Sequence, residues 1–272
     1  MEEGNEMKEF FGFGGYQRPA EGYLSWQHLT FVTSLMVIMV ICAAVLGLRN
    51  KHKDEKSKNK VLVVTAIVIN AIEIFKIVMM CIRAKNPMGW VYNLPLFLCS
   101  IQLIAIPLAA ATKGRVKEAA LDFVTVFGLL GAVIGTYCAG NNYSCYPVLS
   151  LDNVASGLTH SISGFASLYI LIVGMASMKK QNILITFGIL GAFCLAAFVA
   201  NIFTDSNYMF LLRGDGTPYD ILYGWVDGNK VLYPIGVILL FLMYISAYYL
   251  AYYFVAHSIE KHKAMKDKTV TA

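Results

Sequence analysis

Charge is scarce in this chain of 272 residues: Asp, Glu, Lys and Arg make up 14% of it, against 57% hydrophobic residues, and mean hydropathy is +0.59. So little charge cannot coat a water-facing surface, which excludes an ordinary soluble enzyme and points to a polytopic membrane protein. The stretch before Ser25 has no basic region followed by a short apolar core, and carries Glu2, Glu3, Glu6 and Glu9 instead. A cleavable signal peptide is therefore not expected. The five histidines, His28, His52, His160, His257 and His262, show no ligand spacing, so neither a metal nor another cofactor is expected. The last apolar segment holds no lysine, which excludes a retinal Schiff base. No internal repeat is evident.

What the chain has is apolar length. Seven segments qualify as membrane helices: Trp26–Leu48, Val61–Ile82, Asn93–Thr112, Ala119–Cys138, Val154–Met178, Asn182–Phe203 and Val231–Ala256. The expected fold is an all-α membrane protein, a compact bundle of seven transmembrane helices. Residues 1–25 are expected to form an extracytoplasmic tail, 26–256 the transmembrane domain and 257–272 a basic cytoplasmic tail. Almost no length remains for a soluble domain.

Basic residues orient the bundle, because cytoplasmic loops retain Lys and Arg. Fifteen of the 22 fall after segments one, three, five and seven, from Arg49 and Lys51 to Lys266 and Lys268. That places the amino terminus outside, the carboxyl terminus inside, and the protein in the cell membrane as a multi-pass chain. The net charge of +5 is then an insertion signature with anionic-lipid contact. The expected partners are membrane lipids, with no nucleic acid.

Connections are short except on the outer face between Thr204 and Lys230, where Gly214, Gly216, Pro218, Gly224 and Gly228 alternate with Asp205, Asp215, Asp220 and Asp227. This reads either as an ordered lid with aromatic residues on the bilayer surface or as an interfacial loop without chemistry. Of the six cysteines, Cys42 and Cys194 fall well inside segments and read as packing residues. Cys138 and Cys145 lie near the outer face and could pair in an oxidising compartment.

Glu73 and Lys76 stand three residues apart inside segment two. An ionised side chain near the bilayer centre costs at least ~2.5 kcal/mol, so the pair needs a partner or a purpose. Counting from the outer boundary, Lys76, Cys99 and His160 each lie about six residues in, a common depth of ~9 Å. Gln102 and Glu73 lie one turn deeper, Asn201 reaches the outer edge of segment six, and His28 lies near the outer end of segment one. A polar layer in the outer half of the bilayer follows. A thiol needs a neighbouring base or cation to act as a nucleophile, and His160 with Lys76 would supply one.

Three readings stay open on these residues. The layer could be a catalytic site, a transporter or binding site using Glu73, Lys76 and His160 without covalent chemistry, or a scaffold in which Glu73 and Lys76 merely neutralise each other.

The segment Asn93-Leu94-Pro95-Leu96-Phe97-Leu98-Cys99 resembles the Leu-Pro-Leu-His-Leu-Cys motif of the YwaF-like integral membrane family, whose eukaryotic relatives include the transmembrane protein 164 acyltransferases. Further similarities are Ser25-Trp26-Gln27-His28-Leu29, Glu73-Ile74-Phe75-Lys76, His160, Asn201, Asn207-Tyr208-Met209-Phe210-Leu211 and Tyr233-Pro234. Phe97 stands where the motif has His. The resemblance implies a multi-helix bundle and, for the eukaryotic relatives, acyl transfer between lipids by a Cys and His pair. That pair corresponds to Cys99 and His160, with Lys76, Gln102 or Asn201 holding the oxyanion or headgroup and Glu73, Asn207 and His28 as further substrate-binding candidates.

Overall fold

The computed structural model describes residues 2–270, which are all-helical without strands. Residues 1, 271 and 272 lie outside the described residues, as do the side chains of 2–6, 259–260 and 262–270. The acidic residues expected at Glu2, Glu3 and Glu6 and the basic tail residues His262, Lys263, Lys266 and Lys268 fall among them. The elements are α1 (Glu2–Phe11), α2 (Trp26–Asn50), α3 (Glu55–Ala84), α4 (Gln102–Ala111), α5 (Gly114–Tyr137), α6 (Gly140–Cys145), α7 (Leu151–Val173), α8 (Lys180–Thr204), α9 (Tyr219–Trp225) and α10 (Leu232–Val270).

Six of these, α2, α3, α5, α7, α8 and α10, are long and apolar enough to cross a membrane. Their ends follow local chemistry. Ser25, Asp54 and Ser150 cap α2, α3 and α7 by accepting from His28, Ser57 and Asn153 backbone N–H groups. Gly174, at φ 71°, ends α7 in the left-handed conformation that costs glycine nothing. Helix α7 is the hub, packed against α5, α2 and α3, while α8 and α10 close the other side of α5. Tyr169, Phe123 and Phe127 are fully buried there. The outward faces stay apolar: Val37, Ile41, Ile67, Leu195, Phe203 and Met243 are exposed, as lipid contact requires.

The expected third helix, Asn93–Thr112, is not one helix. A 3-10 turn occupies Gly89–Asn93, residues 94–101 are irregular, and only then does α4 begin. Its ten residues extend ~15 Å, half of a bilayer's hydrocarbon core. The cause is Pro95, which forces Leu94 out of the helical region into an extended conformation (φ −63°, ψ 148°). The chain still returns to the opposite end of the bundle. Asn70 Nδ2 donates to Leu103 O at 3.1 Å and Asn59 Nδ2 to Ala110 O at 2.8 Å, so α4 runs antiparallel to α3 down to the lysine-rich end. The segment is thus an interrupted helix beside six long ones.

The amino-terminal segment folds back onto the bundle. Arg83, near the end of α3, grips Asp152 at the start of α7 with both terminal nitrogens (2.6 and 2.9 Å). The Tyr16 hydroxyl donates to the same carboxylate at 2.5 Å. Burial, followed by this bond to the carboxylate, holds the Tyr16 phenol well above its ordinary pKa.

Candidate functional site

Cys99 lies in the interruption, just before α4. The loop is shaped by a reciprocal pair in which Phe97 N–H donates to Ser100 Oγ (3.0 Å) and the Ser100 hydroxyl donates to Phe97 O (3.1 Å). Among the described residues, the backbone N–H groups of Leu98, Cys99 and Ser100 donate to no backbone carbonyl, and those of Cys99 and Ser100 face the Cys99 sulfur. They gather at the amino end of α4, where the helix dipole is positive. Non-helical backbone at membrane depth survives only where protein encloses it or a cavity meets it, and both conditions hold here.

His160 comes from α7. Its Nδ1 lies 2.7 Å from Ser156 O, one turn earlier, and 3.4 Å from the Ser156 hydroxyl. A ring nitrogen facing a carbonyl must carry the proton, so Nε2 is left unprotonated as an acceptor in the neutral ring. The Cys99 thiol lies beside this imidazole. Helix α5 makes room for both. A Cβ on Gly131 would meet Cys99 Cβ at 3.5 Å, and one on Gly135, a turn later, would stand 2.1 Å from His160 Nε2. Only glycine at 135 lets the ring sit flush against the α5 backbone. Gly128 continues the stripe, seating Ser163 and Ser167 of α7.

Two cavities meet at the pair. One, about 260 Å³, is the more polar, with Glu73, Lys76, Asn93, Ser100 and Thr159 in its wall. The other, about 330 Å³, is mostly apolar and is bounded by Leu130, Ile134, Met209, Phe210, Tyr219 and Phe241. Cys99, His160, Ser156, Phe97 and Asn142 belong to both walls. In the polar cavity Lys76 Nζ and Glu73 Oε1 pair at 2.6 Å, with side chains 16% and 13% exposed. In the apolar one, burial and then the proximity of Cys99 push the Tyr219 phenol up to about 12, so it stays a neutral hydroxyl.

The TMEM164 family model matches residues 23–249. The chain belongs to the TMEM164 family. Neither the curated proteins nor the solved structures return a match. The family assignment together with six apolar spans makes this TMEM164-family chain an integral, multi-pass membrane protein.

The other polar residues singled out in this TMEM164-family chain sit elsewhere. His28 is fully buried, accepts from Leu24 N–H at Nδ1 (3.2 Å) and lies 3.1 Å from Thr136 O through Nε2, which satisfies both nitrogens away from the cavities. Asn201 accepts from Tyr208 N–H (2.6 Å) and donates to Tyr208 O (3.1 Å). Asn207 bonds Arg213 O, Leu212 N–H and the Asp215 carboxylate, bracing the loop between α8 and α9. Gln102 is fully buried, with neither amide atom partnered, and lines neither cavity. Cys194 is buried as expected, whereas Cys42 faces outward because its side of α2 lies on the lipid-facing surface. Cys138 and Cys145 are separate, exposed thiols with α6 occupying the chain between them, and Cys138 borders the apolar cavity. Among the described residues, no cluster of three or more His, Cys, Asp or Glu side chains forms a metal site.

Sequence reasoning passed over Gly135, Ser156 and the Arg83–Asp152–Tyr16 clamp. The spacing Gly128, Gly131 and Gly135 on one helix face was the available signal for the first. Asp122 was also missed: it is fully buried, yet accepts from Ser177 N–H and hydroxyl, Met178 N–H and Asn182 Nδ2 at 2.7–3.0 Å. Four donors offset its desolvation and fix the turn between α7 and α8.

Proposed function

We propose that this protein transfers acyl chains between lipids through a thioester on Cys99, with His160 as the proton carrier. The observation that carries the reading is the position of the pair in the common wall of an apolar and a polar cavity. The apolar cavity suits an acyl chain, and the polar one suits an ester headgroup or acceptor held by Lys76 and Glu73. The resemblance to the YwaF-like family and its eukaryotic acyltransferase relatives, through the motif that ends in Cys99, supports the same assignment.

In the first half-reaction His160 Nε2 takes the Cys99 proton and the thiolate attacks the ester carbonyl carbon. The resulting oxyanion is stabilised by backbone N–H groups of Leu98, Cys99 and Ser100 at the positive end of α4. Collapse breaks the ester C–O bond, and His160 returns the proton to the departing alkoxide. In the second half-reaction an acceptor hydroxyl gives its proton to His160 and attacks the thioester carbonyl. The C–S bond breaks, and the thiolate recovers the proton from His160. In this reading the amino terminus faces outside and the lysine-rich end faces the cytoplasm of a cell membrane.

The test is to incubate the purified protein with a phospholipid bearing a clickable acyl chain and map the adduct by mass spectrometry. A hydroxylamine-sensitive adduct on Cys99, absent from Cys99→Ala and from His160→Ala, is expected. Folded protein that forms no adduct would overturn the covalent route. It would favour transport or lipid binding, a reading to which the Glu73–Lys76 pair in a cavity wall gives independent support.

A further inference from the structure

The opposite, lysine-rich end of the bundle holds a larger cavity of about 580 Å³ that shares no residue with the two above. Helices α2 and α3 are joined by only Lys51–Asp54, yet they pack on α7 more than on each other. A seam opens between them, with α7 as its floor. Two devices hold the seam open. A Cβ on Gly47 of α2 would overlap Ile172 of α7, so α2 is drawn onto α7. The Tyr169 hydroxyl accepts from Asn50 Nδ2 (3.3 Å) and donates to Lys58 O (3.1 Å), spacing the last turn of α2 from the first turns of α3 by one phenol.

The lining changes character along the seam. At its mouth stand Lys53 and Lys60, with Asn50, which is 6% exposed, and Ser57. Among the described residues neither lysine enters a salt bridge, and the nearby Asp54 is committed to capping α3 through Ser57. Deeper in the seam the lining is Val61, Val64, Val68, Ile162 and Phe165, apart from Thr65, whose hydroxyl bonds Val61 O. Val64 is half exposed toward lipid. Ser57, Lys60, Val64 and Val68 recur every three or four residues, so a single stripe of α3 carries the gradient from cationic to apolar.

We propose that this seam binds an anionic diacyl phospholipid, with the phosphate between Lys53 and Lys60 and an acyl chain along the valine stripe of α3 against Phe165. Charge complementarity selects the headgroup. The apolar depth selects a lipid over a soluble phosphate, which would leave that wall wet. The site is independent of the Cys99 chemistry.

The experiment is native mass spectrometry of the full-length protein released from nanodiscs containing equal amounts of phosphatidylglycerol and phosphatidylcholine with identical chains. Wild type is expected to retain phosphatidylglycerol over phosphatidylcholine by about thirtyfold, the scale of two lysines near an anionic headgroup. Lys53→Gln with Lys60→Gln should remove the preference, and Val64→Trp should block retention by filling the seam. Cys99→Ala, and Lys113→Gln with Arg115→Gln at the same end of the bundle, should leave it unchanged. Equal retention of the two lipids by wild type would overturn the proposal, as would a preference that survives Val64→Trp or is lost equally in the Lys113 and Arg115 variant. Displacement of the lipid by an equal concentration of glycerol 3-phosphate would overturn the acyl-chain half.

Discussion

A side-chain carbon on Gly135 would stand 2.0 Å from Cδ2 of His160, closer than any two nonbonded carbons can approach. One residue of α5 therefore sets where the imidazole of α7 stands. Gly135→Ala must push the ring or the helix aside, and a displacement on the order of 1 Å is enough to cost ~100-fold in a positioned reaction. We expect a loss of that order in Cys99 acylation while the protein still elutes as a folded particle. Gly131→Ala, whose new carbon meets Cys99 at an ordinary 3.5 Å, should cost far less. Equal effects of the two changes would show that the slot does not set the geometry.

The Arg83–Asp152 clamp gives a stability prediction. The two side chains are 19% and 7% exposed, so removing one leaves the other charged and largely desolvated. Arg83→Leu should destabilise by about 3–5 kcal/mol, and adding Asp152→Leu should recover part of the loss. Thermal unfolding in detergent measures both. A single variant that melts with wild type would mean that the clamp contributes nothing.

Within the polar cavity the same logic separates structure from function. Glu73→Gln strands the Lys76 ammonium, whereas Glu73→Gln with Lys76→Met removes both charges. If the pair only neutralises itself, the double variant regains both stability and activity. If the pair holds a headgroup, the double variant regains stability and not activity. Melting and acyl transfer measured on the same preparations distinguish the two, and the functional reading predicts the split.

Phe97 borders both cavities, packs edge-on against Tyr208 with ring centroids 5.1 Å apart, and lies tilted against Phe210 at 5.7 Å. Phe97→Ala should join the two spaces and admit water to a Cys99 thioester. The ratio of released fatty acid to transferred acyl chain should rise several-fold, read by thin-layer chromatography of a labelled lipid. An unchanged ratio would show that Phe97 is not the partition.

The six long helices were legible because each carries an apolar run long enough to cross a membrane. Segment three was not: its hydropathy matches a helix, and only the effect of Pro95 on Leu94 breaks it, an effect that length counting ignores. Depth counting put Lys76, Cys99 and His160 in one layer, and all three line one cavity. The same counting could not separate them from His28 and Asn201, whose polar atoms are consumed by Thr136 and Tyr208. A residue's partners across helices leave no mark on its own segment. Gly135 was invisible for the converse reason, since its role is to contribute no atom.

Tyr208 carries a further consequence. Its hydroxyl accepts from Leu94 N–H at 3.0 Å and donates to Val91 O at 2.7 Å, while its own backbone is held by Asn201. The broken helix cannot satisfy those backbone groups itself, so the connection between α8 and α10 supplies the bonds that an intact helix would have made. That connection is therefore not exchangeable in the way surface loops usually are. Grafting a foreign loop between α8 and α10, harmless in most bundles, would here leave a peptide group unpaired at the mouth of the site and register as a defect in insertion.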